Sequence, residues 1–219
     1  MKIAHAQVEE VRLILPTGFS TIDTVIEHYA RICYRSQDRI KKGSDVKLVT
    51  HLVNRGHHAM LEFCDAAVIF SCDRGMSHEI VRHRLASFAQ TSTRYCDHTG
   101  KRFGGEITVI EQPSIAADQG ASSLWTLAME HAEQFYKQLR VMGIPPEEAR
   151  SVLPIGLQTQ IAIKANIREW LHILELRCSS AAHPIIRRCA RDVLKFLYWE
   201  SPAIFGGLYK KYLGKGKEE

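Results

Sequence analysis

The sequence predicts a single α+β domain, and three observations carry that expectation. The chain has 219 residues, of which 45% are hydrophobic and 24% charged, an ordinary balance for a packed globular protein. A chain of this length buries about 70 to 75% of its unfolded surface. Segments with apolar residues at helical spacing are interspersed with segments of extended character. No internal repeat, low-complexity tract or linker composition divides the sequence, so one domain over residues 1–209 is expected, followed by a basic, polar tail over residues 210–219.

Element by element, Lys2 to Leu15 reads as a strand closed by the turn Pro16-Thr17-Gly18. Ser20 then caps a helix in which Ile22, Val25, Ile26, Tyr29 and Cys33 recur at helical spacing. A second helix, Ser44 to Asn54, carries Val46, Val49, Leu52 and Val53 and stops near Gly56, and the two helices are expected to cover one face of a sheet. Glu62 to Cys72 suits a buried strand, after which Asp73 is a good N-cap for a helix running toward Leu85. Thr91 to Cys96 and Glu106 to Glu111 read as extended, separated by a glycine-containing loop from Asp97 to Gly105. Ser123 to Met142 is a long amphipathic helix ending at Gly143. Pro145-Pro146-Glu147-Glu148 starts a short helix that delivers Arg150, since proline suits the first turn and acids suit the positive end of the dipole. A break at Pro154 and Gly156 precedes a strand from Gln158 to Ala165, and helices Asn166 to Arg177 and His183 to Trp199 finish the fold.

No apolar run approaches the roughly 18 to 20 residues of a membrane span. The start, Met1-Lys2-Ile3-Ala4-His5-Ala6-Gln7, lacks the apolar core of a signal peptide. A cytoplasmic location without membrane association is therefore expected. Cys33, Cys64, Cys72, Cys96, Cys178 and Cys189 form no C-x-x-C pair and read as thiols in a reducing compartment. A formal charge of +5 favours anionic partners without naming one.

The chemistry concentrates in Arg82-His83-Arg84-Leu85-Ala86-Ser87-Phe88-Ala89-Gln90-Thr91-Ser92-Thr93-Arg94-Tyr95. Guanidinium forks suit phosphate, and Ser and Thr hydroxyls add short donors that close around the same oxygens. Glu79 falls three residues before Arg82 and four before His83, so a solvated intrahelical ion pair would account for those residues alone. The donors continuing through Ser87, Gln90, Ser92 and Arg94 favour an anion site. A second cluster lies on the helix from Asn166. Asn166 with Glu169 makes a capping-box-like start, Ile167, Trp170, Leu171 and Leu174 share an apolar face, and Arg168, His172 and Glu175 share a polar stripe. That stripe is either a solvent face or, because Ile173 and Leu176 lie beyond it, the lining of a cleft. His57 and His58 adjoin a helix end, but no Cys, His or acidic set completes a metal-binding pattern around them, and no metal is expected.

Taken in order, these motifs resemble the flavin-dependent thymidylate synthases over nearly the whole chain. Besides the Arg-His-Arg and Ser-x-Arg-Tyr signature, the likeness includes Cys33-Tyr34-Arg35-Ser36, Gly56-His57 with Glu62, Asp73 to Glu79, Glu148 to Pro154, and Asn166-x-Arg168-Glu169-Trp170-x-His172 through Arg177. The resemblance implies a largely antiparallel central sheet flanked by helices. It also implies reductive methylation of dUMP to dTMP, with methylenetetrahydrofolate as carbon donor, FAD as the flavin recharged by NADPH, and no cysteine nucleophile. By the same resemblance, Glu79, Ile80, Val81, Arg82, Gln90, Thr91, Ser92, Thr93, Arg94, Arg150 and Arg177 hold dUMP, Arg177 acting as the catalytic cation. His57, Arg82, His83, Arg84, Gln90, Asn166, Ile167, Arg168 and His172 hold FAD. A homotetramer with shared active sites is implied as well. The chain departs from the pattern at Gln90, where some relatives have an acid, at Ala59, where many have Ser or Thr, and at Phe63, where many have His. Two rivals remain open on sequence grounds. One is a nucleic-acid-binding domain using Arg82 to Arg94, against which no aromatic stacking platform accompanies the basic residues. The other is a different flavin or nucleotide enzyme on the same scaffold.

Overall fold

The computed structural model describes residues 1–100, 102 and 104–214. Its strands are β1 (Lys2–Ala4), β2 (Gln7–Ile14), β3 (Asp65–Asp73), β4 (Ala86–Gln90), β5 (Thr108–Ile110) and β6 (Gln158–Asn166). Its helices are α1 (Ile22–Ile32), α2 (Ser44–Asn54), α3 (Arg74–Ile80), α4 (Pro113–Ala116), α5 (Gln119–Val141), α6 (Pro146–Ala149), α7 (Ile167–Arg177), α8 (Pro184–Glu200) and α9 (Pro202–Leu213), with short 3-10 turns at Gln37–Arg39, Ala59–Phe63 and Arg150–Val152. The predicted α+β class is borne out, with an antiparallel four-stranded sheet in the order β2-β3-β6-β4. A separate parallel pair joins β1 to β5, Lys2 opposite Thr108. Among the described residues no helix is long and apolar enough to cross a membrane.

Two compact units divide the chain, each assembled from separated segments. The first comprises Met1–Gln7, Phe70–Arg82 and Phe88–Ala162, the second Val8–Ile69, His83–Ser87 and Ile163–Glu219. In the first, Ile107, Val109 and Leu157 are buried and pack with Met1, Trp125, Met129 and Leu153. In the second, α8 packs on α7 and α9, and α2 on α1 and α9. Trp170 of α7 is buried there, its indole N–H donating to the Ala66 carbonyl at 3.0 Å, so its one polar atom is satisfied.

Several boundaries differ from expectation for identifiable reasons. The strand expected over Lys2 to Leu15 is two strands serving different sheets. Thr21, not Ser20, caps α1, its hydroxyl accepting from the Thr24 N–H at 3.2 Å. Glu62 and Phe63 belong to a 3-10 turn anchored by buried Leu61, so β3 starts only at Asp65. Helix α3 stops at Ile80, and Arg82-His83-Arg84 lies in the turn beyond it instead of on the helix. The extended run is Ala86–Gln90, whereas Thr91 to Cys96 turns back on itself, Tyr95 and Cys96 N–H groups both donating to the Ser92 carbonyl. Hydroxyl residues there offer the backbone local partners that compete with a ladder. The tail expected from residue 210 begins inside α9, where Tyr212 donates to the Glu175 carbonyl at 2.9 Å and Lys211 pairs with the Glu175 carboxylate. Residues 215–219 of that tail, and 101 and 103 of the loop after Asp97, lie outside the described residues.

Asp73 is the N-cap the sequence predicts. Buried, it accepts from the Met76 N–H at 2.6 Å through Oδ1 and from the Gln112 amide at 2.9 Å through Oδ2. Asp73→Ala is therefore expected to cost about 2 kcal/mol, a cap loss of about 0.5 to 2 kcal/mol plus a stranded buried amide donor. Urea unfolding measures it, and a loss below about 0.5 kcal/mol would show that the cap does not hold α3.

Candidate active site

Within the first unit, α3 presents Arg74 and His78 one turn apart on the same face. The Arg74 N–H donates to the Ile155 and Leu157 carbonyls, both at 3.1 Å, which fixes the helix start against the segment leading into β6. The α6 helix, started by Pro145 and Pro146, delivers Arg150 as expected. The Arg150 Nε donates to the Glu147 carbonyl at 3.1 Å and its Nη1 to the Thr93 hydroxyl at 2.9 Å. Arg74, His78, Thr93, Arg150 and Ser151 line a cavity of about 440 Å³ with apolar Leu153, Pro154 and Ile155. Burial first, and then the nearby Arg150 charge, lower the proton affinity of the Arg74 guanidinium. Two like charges brought together in a partly desolvated cavity are a poor arrangement for folding and a good one for binding an anion.

Of the residues expected here, Thr93 and Arg150 line this cavity. Gln90 is half-buried beneath the segment that carries them. The Ser77 hydroxyl donates to the Arg74 carbonyl at 2.9 Å and must accept from the Gln90 Nε2, also at 2.9 Å. The same amide nitrogen donates to the Thr159 hydroxyl at 3.2 Å. Both Gln90 N–H groups are thus committed within the protein. Thr91 is tied to the Gln160 carbonyl through its N–H at 3.0 Å, and the Ser92 hydroxyl accepts from the Arg94 N–H at 3.3 Å. The exposed Arg94 guanidinium lies over the Tyr95 ring, 5.4 Å from its centroid, and is not among the cavity's walls. Ile80 is buried in α3, Glu79 accepts from the Arg82 N–H through its carbonyl at 3.3 Å, and Val81 and Arg82 are exposed. Sequence reasoning passed over Arg74 and His78 as site residues. Their signal was the four-residue spacing directly after a strong N-cap.

The second unit holds a different cluster. His83 is only 5% exposed, and its Nε2 accepts from the Arg177 Nε at 3.0 Å. Burial, then the charges of Arg177 and His172, hold the imidazole down to about 4, so it is neutral at pH 7. With Nε2 accepting, the proton sits on Nδ1, which faces the buried Glu169 carboxylate at 3.8 Å. Glu169 is placed by the cap of α7, its N–H donating to Asn166 Oδ1 at 2.8 Å as the sequence predicts. The exposed His172 ring meets His83 edge-on, centroids 6.0 Å apart. His83, Glu169 and His172 offer ligand atoms within 4.8 Å of one another, the spacing of a metal triad. Arg177, however, already occupies the second imidazole nitrogen and supplies the local cation. The arrangement suits a polar ring bearing carbonyls better than a metal ion.

Other expected residues fall elsewhere in this unit. Arg168 is exposed and pairs with Glu62 at 2.6 Å, and His57 and Arg84 are exposed. Ile167 is 0% exposed and its N–H donates to the Cys64 carbonyl at 2.9 Å, which leaves neither its side chain nor its N–H for a ligand. Ile173 belongs to the core face with Ile167, Trp170 and Leu174, while Leu171 is only half-buried, so Ile173 does not flank a cleft. Its position, three residues after Trp170 and next to Leu174, puts it under the same covering elements. Phe63 stacks on Tyr29 with centroids 4.0 Å apart, an apolar contact.

Comparison with known proteins then separates the alternatives. Residues 12–203 match the family model described as thymidylate synthase complementing protein. The flavin-dependent thymidylate synthase of Geobacter sulfurreducens is 31% identical over 183 residues, covering 80% of this chain and 77% of that protein. The enzyme of the same description from Mycobacterium sp. (strain KMS) is 29% identical over 216 residues, covering 89% and 83%. Among solved structures, the UMP/dUMP methylase PolB from Streptomyces cacaoi, bound with 5-Br dUMP, superposes with a TM-score of 0.75 at 20% identity, covering 97% of this chain and 98% of that one. That last likeness is one of fold.

The His83 environment has a pH signature. Its folded-state pKa of about 4 lies below the unfolded value near 6.5, so between them the unfolded chain binds the extra proton. Stability from this group is intact above about pH 6.5 and falls as pH drops toward 4. His83→Gln keeps an acceptor for Arg177 and removes the titration. The wild type is expected to lose on the order of 2 to 3 kcal/mol more than His83→Gln between pH 7 and 4, by urea unfolding. Parallel stability profiles would contradict the buried neutral imidazole.

Proposed function

The chain belongs to the thymidylate synthase complementing protein family, and from that premise we propose that it converts dUMP to dTMP. The carbon comes from methylenetetrahydrofolate and the reducing equivalents from NADPH through FAD. Per turnover, dUMP gains a methyl group, methylenetetrahydrofolate leaves as tetrahydrofolate, and NADPH and a proton leave as NADP⁺. When bound, FAD would supply the hydride chemistry, with NADPH as the source of the electrons.

The observation that carries this reading is the meeting of Arg74 and Arg150 beside Thr93 in one cavity, an arrangement suited to an anion. In the proposed complex these groups grip the phosphate of dUMP, with the Ser92 to Arg94 segment and the Glu79 to Arg82 turn closing around the nucleotide. Gln90, whose N–H groups are committed to Ser77 and Thr159, would meet the ligand through its side-chain oxygen. In the second unit His57, Arg84, Asn166, Arg168 and His172 would hold the flavin, whose carbonyls and acceptor nitrogen suit cations and imidazoles. Here a neutral His83 orients Arg177. In the shared sites proposed below, Arg177 of one protomer would meet dUMP held by another, its guanidinium stabilising negative charge that develops on the uracil carbonyls as the ring is activated. A protonated His83 could not accept from Arg177 and would repel it.

The proposal includes no cysteine nucleophile. Burial pushes the Cys64 and Cys178 thiols up to about 12, and Cys72 and Cys189 are also buried, whereas the thiolate is the nucleophilic form. Exposed Cys33 and half-buried Cys96 lie outside both clusters. We further propose a homotetramer with shared sites, located in the cytoplasm. Helix α5 supports an interface, because Leu124, Leu127 and Phe135 stand exposed along it, Leu124 at 71%.

Incubating the purified protein with FAD, NADPH, methylenetetrahydrofolate and dUMP is expected to give dTMP by chromatography. Arg177→Lys should keep its fold and flavin spectrum but lose about 10²-fold in dTMP formation, because an ammonium cannot present a planar fork. No dTMP from wild-type protein that binds FAD would overturn the proposed activity, and near-parental output from Arg177→Lys would remove the catalytic cation from it.

A further inference from the structure

Within the second unit, away from its imidazole cluster, the segment between α1 and α2 borders a groove of about 680 Å³. Its walls carry Arg39, Lys41, Lys42 and Lys47, none of which has an acidic partner within ion-pair distance among the described residues. Asp38 is the acidic residue of the lining, and Arg31 is already committed to Glu27 at 2.8 Å. The turn is held rigidly. Buried Glu27 takes Arg31 on one carboxylate oxygen and the Ser44 hydroxyl on the other at 2.9 Å, while the Lys41 N–H donates to that hydroxyl at 3.0 Å. Gly43, at φ +76, leaves open space where a side chain would stand. A purely solvated surface needs neither a concave arrangement of uncompensated cations nor a buried acid that fixes the turn bearing them.

We propose that this groove binds a small ligand bearing a chain of phosphates, such as a nucleoside triphosphate. Charge matching favours such a ligand. One phosphate group carries roughly −1.5 to −2 charges and would leave much of the cluster unmatched. Consecutive phosphates present several charges within the reach of Arg39, Lys41, Lys42 and Lys47 at once. The lysines act as mobile point charges and Arg39 as a fork, a mixture that takes a flexible polyanion more readily than a single planar carboxylate. This ligand differs from the monophosphate assigned to the cavity of Arg74 and Arg150, and the inference does not rest on the proposed activity.

The test uses the intact protein at constant ionic strength, following the thermal unfolding midpoint against inorganic tripolyphosphate, orthophosphate, dTTP and a single-stranded oligonucleotide. An Arg150→Gln background removes the contribution of the dUMP phosphate cavity. Tripolyphosphate is expected to raise the midpoint at concentrations about ten-fold or more below those orthophosphate needs. The Lys42→Glu/Lys47→Glu double variant, in the same background, should abolish that difference. In otherwise wild-type protein, Lys42→Glu/Lys47→Glu should leave dTMP formation at subsaturating dUMP within about two-fold, and its own unfolding midpoint in plain buffer checks that it is folded. Where dTTP matches tripolyphosphate the phosphate chain alone is read, and where dTTP acts at lower concentration the nucleoside contributes; both support the site. The proposal is overturned if tripolyphosphate and orthophosphate act alike, if the double variant responds as its parent does, or if the oligonucleotide binds through Lys42 and Lys47 more than about ten-fold tighter than tripolyphosphate, which would make the groove a nucleic-acid surface.

Discussion

Arg74 and Arg150 line one cavity, where burial first and then the Arg150 charge lower the proton affinity of Arg74, and local contacts in the first unit hold both in place. Asp73 caps α3 and so places Arg74 in its first turn, while two carbonyls before β6 fix the Arg74 backbone. Pro145 and Pro146 start the helix that ends at Arg150, and a hydroxyl and a carbonyl aim its guanidinium. Each of these is a local device with an ordinary stabilising role. Together they bring two cations to one cavity, an arrangement suited to an anion.

The second unit applies the same logic with a neutral partner. A guanidinium exposed on all sides would sample many orientations, but Arg177 donates to an imidazole that burial keeps uncharged. Glu169 faces the protonated nitrogen of that imidazole, and its own position follows from the Asn166 cap. A capping residue therefore reaches, through a carboxylate and an imidazole, to the cation proposed for catalysis. The dependence of that chain on a neutral His83 ties site geometry and fold stability to the same pH range.

How much of this was legible in the sequence depended on whether the governing interactions were local. The caps at Asp73 and Asn166, the bounds of α2 and the proline start of α6 are decided within a few residues, and each stands where the sequence placed it. The division of Lys2 to Ile14 between two sheets depends on partners far along the chain, Thr108 for β1 and the Asp65–Asp73 strand for β2, and no local pattern announces it. Helix α9 was missed because Gly206 and Gly207 interrupt its periodicity. Packing replaces propensity there, with Tyr209 stacked on Tyr198 at 4.0 Å. At the site, the signature residues were visible as an unusual concentration of donors. The neighbourhood of Arg74, Thr93 and Arg150 was not, since it joins segments far apart in the chain. The burial that neutralises His83 was equally hidden, because it is a property of the surroundings and not of the Arg-His-Arg motif.

Two guanidiniums, Arg74 and Arg150, are proposed to grip a nucleotide phosphate. Calorimetry with dUMP and with deoxyuridine, which lacks the phosphate, isolates that interaction in wild type, Arg74→Gln and Arg150→Gln. Each variant is expected to lose about ten-fold or more in affinity for dUMP, the value of one charge-assisted hydrogen bond, while deoxyuridine binding stays as in the wild type. An unchanged ratio of dUMP to deoxyuridine affinity in Arg74→Gln would contradict the account.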